Sequence, residues 1–109
     1  MNPGTISPAL FETARNILSA VPACHDWDHT VRVLNNARHL AEVEGADLAV
    51  VECAALLHDI GRPQELADAG QTCHARLGAR RARRLLAEYG EADEAFIERV
   101  VHCVRSHRY

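Results

Sequence analysis

Residues 47–59, DLAVVECAALLHD, are apolar on nearly every side of a helix and end in two adjacent ionisable residues. A helix with one apolar stripe can lie on a surface, but one that is apolar all round has to be surrounded. The segment therefore demands partners on its flanks. It predicts a central buried helix from about Asp47, a good N-cap, to Asp59, with Gly61 and Pro63 as stop signals.

The partners it needs read as further helices. β-branched and aromatic residues are sparse, while Ala, Leu, Arg and Glu are abundant. A first helix is predicted from SPAL, where Ser7 can cap the open amides and Pro8 suits the first helical position, to about Val21-Pro22. A second is predicted from Asp26 or Asp28 to Glu44, stopped by Gly45, with Val33, Ala37, Leu40 and Ala41 as its apolar stripe. A fourth should cover about Thr72 to Tyr89, with Gly78, Ala82, Leu85, Leu86 and Tyr89 on one side and Gly90 at its end. A fifth should run from about Ala92 to the C-terminus. The expectation is an all-α compact bundle of about five helices, a single domain over residues 1–109. With 48% hydrophobic residues the chain can fill a core.

Several function classes drop out. A net charge of −3 gives no overall grip on a nucleic-acid polymer. No apolar run approaches the ~20 residues of a membrane span, and MNPGTISPAL lacks the charged and apolar start of a signal peptide. No membrane association and a cytoplasmic location are expected. Cys24, Cys53, Cys73 and Cys103 form no CxxC pair, and Cys53 and Cys103 fall in apolar stretches, where free cysteine behaves as a small hydrophobe. There is no glycine-rich phosphate loop, no GxSxG and no HExxH. The arginines of ARRARRLL oppose the apolar stripe of their helix and read as a solvated face.

Seven histidines in 109 residues are the unusual feature. On a helical wheel His29 falls in the arc of Val33, Ala37 and Leu40, and so should face inward. His58 and Asp59 close the central helix, and His107 falls on the side of Phe96, Val100, Cys103 and Val104. His39 and His102 fall on polar sides. Buried imidazoles and a carboxylate without partners are costly, and a shared divalent cation satisfies them together. A helix C-terminus favours His but not Asp, which weighs against simple capping by the pair. A loosening last turn would let both neighbours reach one ion. Mixed nitrogen and oxygen ligands suit Mn, Fe, Zn, Co or Ni. A structural zinc site from Cys24, His25, Cys73 and His74 is a weaker alternative, because ligand pairs are normally spaced by two or more residues.

HDWDHTVRV at 25–33, ALLHDIGRP at 55–63, CHARLGARRARRLL at 73–86 and VVHCVRSHRY at 100–109 together resemble successive motifs of the HD domain superfamily, metal-dependent phosphohydrolases with a helical core. The likeness is greatest to small stand-alone HD hydrolases. It implies His29, His58 and Asp59 as metal ligands, with His58 and Asp59 the signature catalytic pair. His74 and His107 match the histidines that hold a second ion in two-metal members. Arg62, directly after the pair, is a candidate for a substrate phosphate. His25 is a candidate pocket residue. The family's last ligand is an aspartate on a later helix, for which this chain has no counterpart, so the domain is expected to be C-terminally incomplete and self-associating. The implied cofactor is a divalent ion (Mn favoured; Fe, Mg, Zn, Co or Ni also suited). The implied partner is a small phosphate substrate, expected to be a nucleotide. The alternative is a non-catalytic helical module that binds metal or nucleotide.

Overall fold

A computed structural model describes residues 4–20, 26–60, 74–89 and 93–106. These form α1 (Pro8–Leu18), α2 (Asp26–Glu44), α3 (Leu48–Leu57), α4 (His74–Tyr89) and α5 (Glu94–Ser106), with no strand among the described residues. The all-helical expectation holds. The central helix is where the sequence put it: α3 packs against α2, α5 and α1, and α4 pairs with α5 and also touches α1. Leu10, Leu18, Leu34, Leu56, Leu57, Ile60, Leu86, Val100 and Val104 are fully enclosed.

Local chemistry sets the ends. Asp47 caps α3, its Oδ1 accepting from the amides of Ala49 at 3.1 Å and Val50 at 3.4 Å. Asp93 does the same for α5, accepting from the Phe96 amide at 2.8 Å. Gly45 ends α2 at φ +70°, a left-handed turn that other residues adopt only with strain. Ser7 is the residue before α1, but its side chain makes no cap hydrogen bond. Pro8 supplies no amide to the first turn, so one donor that a cap would satisfy is already gone. Phe11 of α1 meets Trp27 of α2 edge to face, ring centroids 5.4 Å apart, which pins the start of α2.

Two apolar faces differ from expectation. The buried line of α2 is Thr30, Leu34 and Ala41, while Val33 and Ala37 are only half-buried and Leu40 is 56% exposed. The helix is turned so that half-buried Arg38 also faces inward, toward a buried carboxylate on α3. On α5 the buried set is Ile97, Val100, Val101 and Val104. Cys103 is exposed, because it lies about 200° round the helix from Val101. Tyr89, at the end of α4, is also exposed. Val21-Pro22, Thr72, Gly90 and Ala92, proposed as helix limits, lie outside the described residues.

Candidate metal centre

α3 ends at Leu57, and the next three residues form a turn in which the Ile60 amide donates to the Leu57 carbonyl at 3.1 Å. That tightening brings the adjacent side chains of His58 and Asp59, both buried, to the same point: His58 Nε2 is 3.2 Å from Asp59 Oδ2. A regular helix would have set them about 100° apart. From the first turns of α2, His29 brings its Nε2 to 3.4 Å from His58 Nε2 and 3.5 Å from Asp59 Oδ2. The two rings stand 5.4 Å apart with their planes at 54°.

The three atoms form a nearly equilateral triangle, and its size decides what it can hold. An ion about 2.1 Å from each ligand separates neighbouring ligand atoms by about 3.0 Å in an octahedron and about 3.4 Å in a tetrahedron. The observed 3.2–3.5 Å edges lie at the tetrahedral value and just above the octahedral one. His58 is also oriented for the task. Its Nδ1 donates to the Ala55 carbonyl at 2.6 Å, which in the neutral ring leaves the lone pair on Nε2, at the triangle. Burial alone would depress the His58 pKa, but the Asp59 carboxylate and the Ala55 carbonyl outweigh it and hold the imidazole above its usual value. A bound cation would displace that proton.

His29 departs from its predicted inward position. Its side chain is 48% exposed, against 9% for Asp59, so it forms the open rim of the site rather than its floor. The rotation of α2 that turned Arg38 inward is the cause. His39 and His102 are exposed, as expected. The side chains of His74 and Arg76 lie outside the described residues, as do Cys24, His25, Arg62, Cys73 and His107. Among the arginines of α4, Arg83 is more than a solvated charge: it joins Glu94 at 3.0 Å, and also Glu98, on α5.

Sequence reasoning missed one buried ionic group. Glu52, only 1% exposed, sits in the middle of α3. Its Oε2 receives Arg38 Nε, and its Oε1 receives the Thr5 amide at 2.9 Å and the Thr5 hydroxyl. Burial alone would raise its pKa, but the hydrogen bonds from Thr5 and the Arg38 guanidinium prevail and hold the carboxyl below its usual range. A signal was present: one glutamate in an otherwise apolar helix has to find a cation or donors.

A family model described as the HD domain matches residues 26–109 of this chain. The chain belongs to the HD domain family. The match begins with α2 and takes in both halves of the His29, His58 and Asp59 triangle. Two relatives are similar in sequence. The uncharacterized protein YpgQ of Bacillus subtilis is 46% identical over 46 residues, 42% of this chain and 22% of YpgQ. Ribonuclease Y of Cutibacterium acnes is 38% identical over 80 residues, 73% of this chain and 13% of the ribonuclease. The chain thus spans less than a quarter of either relative. No solved structure matches it.

Proposed function

We propose that this HD domain is a metal-dependent phosphohydrolase whose ion is held by His29, His58 and Asp59, acting on a phosphoester or phosphoanhydride, with nucleotides as the substrate class. The observation that supports it most is the triangle of ligand atoms with 3.2–3.5 Å edges, drawn from two helices and buried on one side only. Membership of the HD family and the likeness to a ribonuclease, an enzyme of phosphodiester bonds by its name, point the same way. A divalent ion there would supply Lewis acidity toward water and the phosphorus centre, with Mn²⁺ first among the candidates for this mixed nitrogen and oxygen set. The chain's own groups do the rest. His58, fixed by Ala55, sets the direction of the inner ligand. Asp59 contributes charge and orients the attacking water. His29, on the exposed rim, leaves substrate a way in. His74, His107 and Arg62 remain proposed contacts for a second ion or a phosphate. Self-association is proposed through exposed Leu40, Val43 and Leu48.

The test is turnover. With excess Mn²⁺, a nucleoside triphosphate or a generic phosphodiester should be cleaved slowly, and Asp59→Asn should abolish cleavage while leaving the helical circular dichroism largely intact. If the wild-type chain binds nucleotide but never turns it over, whichever divalent ion is supplied, it is a binding module.

A further inference from the structure

The triangle is assembled from two helices, so its geometry depends on how α2 is set against α3. Apolar contacts do not fix that setting, because they are non-directional. The apolar arc of α2 is broad enough to admit settings that differ by less than one residue in rotation. The stripe Val33, Ala37, Leu40 and Ala41, centred on the core, would carry His29 inward with it. In the setting adopted, Thr30, Leu34 and Ala41 are buried, Val33 and Ala37 pack half-buried against the core, Leu40 is out, and His29 stands at the rim. Nine residues separate His29 from Arg38, two and a half turns, so the two leave α2 on nearly opposite sides. Turning Arg38 toward the core therefore turns His29 toward the rim.

We propose that the buried Arg38–Glu52 ion pair, closed over by Thr5, is a positioning device that selects this rotation of α2 and so places His29 beside His58 and Asp59. The pair joins α2 to α3 through side chains that are 23% and 2% exposed. Glu52 takes donors from the segment before α1 as well as from α2, so three parts of the chain meet on one carboxylate. The approach is close: a Cβ on Gly4, which has φ +64°, would fall on Glu52 Oε2 and come within 2.9 Å of Arg38 Nη2. Glu52 and His58 share one rigid stretch of α3 and its following turn, six residues apart. Fixing Arg38 to Glu52 thus fixes the origin of His29 relative to the other two ligands. A buried pair of this kind adds specificity of arrangement more than stability, since apolar replacement of both partners is often neutral or stabilising.

In its metal-binding part the inference rests on the function proposed above, and the test separates the two. The variant is Arg38→Met with Glu52→Met in the full chain. Two readouts are taken: the nuclear Overhauser contact between the His29 and His58 rings in metal-free protein, and Mn²⁺ affinity. Folding is followed by circular dichroism and urea denaturation. The expected result is a cooperative helical protein that has lost the ring contact and binds Mn²⁺ on the order of tenfold more weakly or worse. Arg38→Lys, which keeps the charge, should retain the contact and recover most of the affinity. A merely structural pair would change the urea midpoint and leave both readouts of the folded protein untouched, and that result overturns the proposal. If the double variant does not fold, Arg38→Gln carries the same two readouts, and wild-type values in it overturn the proposal equally. A wild-type chain that shows the ring contact but binds no Mn²⁺ refutes the metal reading alone. The loss of that contact in the variant would then still support the positioning role.

Discussion

At the residue scale, four buried ionisable side chains on or just after one helix have different fates. Asp59 and His58 face each other and a rim histidine, an arrangement that a cation would complete. Glu52 is completed within the chain, by Arg38 and Thr5. Cys53, beside Glu52, has its thiol pushed up to about 11 by burial and by the Glu52 charge, so it stays a neutral core residue. The Glu52 shift makes a prediction about acid stability. Its carboxyl is held below the ordinary value of 4.5, so the folded state favours the ionised form more than the unfolded state does. That contribution is fully present above the unfolded value near 4.5 and is lost as pH falls through the lower folded value. Urea midpoints taken from pH 7 down to pH 3 should fall, and Glu52→Gln should flatten the acid part of that slope. An unchanged slope in the variant would assign the acid loss to other carboxylates.

At the element scale, α3 is the helix on which the candidate centre depends, and its two ends are held differently. Its C-terminal end tightens into the turn carrying His58 and Asp59. Its N-terminal end rests on Asp47, which caps two amides and also meets Arg99 of α5 at 3.2 Å. Asp47→Ala should cost about 1 kcal/mol of unfolding free energy, the usual worth of a side-chain cap, with little added by the exposed ion pair. Arg99→Ala, which leaves the cap in place, should cost much less. Comparable losses from the two variants would show that the ion pair, not the cap, holds this end. These outcomes bear on stability and not on the ligands, because Asp47 lies at the end of α3 away from the triangle.

At the scale of the whole molecule, a cation at the triangle would tie α2 to the turn after α3 and bind only when both are in place. Such a ligand stabilises the native state by mass action, by about 2.7 kcal/mol at a hundredfold excess over Kd. For a chain of this size that is a rise of roughly 10 °C in Tm. Adding Mn²⁺ should produce such a shift, chelation should reverse it, and His58→Ala should remove it. A shift that survives His58→Ala would place the ion elsewhere. No helix among the described residues is long and apolar enough to cross a membrane.

The all-helical class and the central position of α3 were legible in the sequence, because apolar periodicity, caps and stop signals act within a few residues. The set His29, His58 and Asp59, in which the two histidines stand 29 residues apart, was implied by the resemblance to the HD superfamily and not by the helical wheel, which placed His29 inside. The paired His58-Asp59 dipeptide was legible from local information, as a cost that burial imposes on neighbours in the chain. The rotation of α2 was not. The apolar arc of α2 is broad enough to admit more than one setting, and the choice falls to Arg38 and Glu52, which are 14 residues apart and meet only when α2 lies against α3. A lone glutamate in an apolar helix announces that a partner is needed but not which one. Tertiary structure decided the partner, because ionic and hydrogen-bonding groups are directional where apolar contacts are not. The partner in turn decided that His29 stands at the rim of the candidate centre and not inside it.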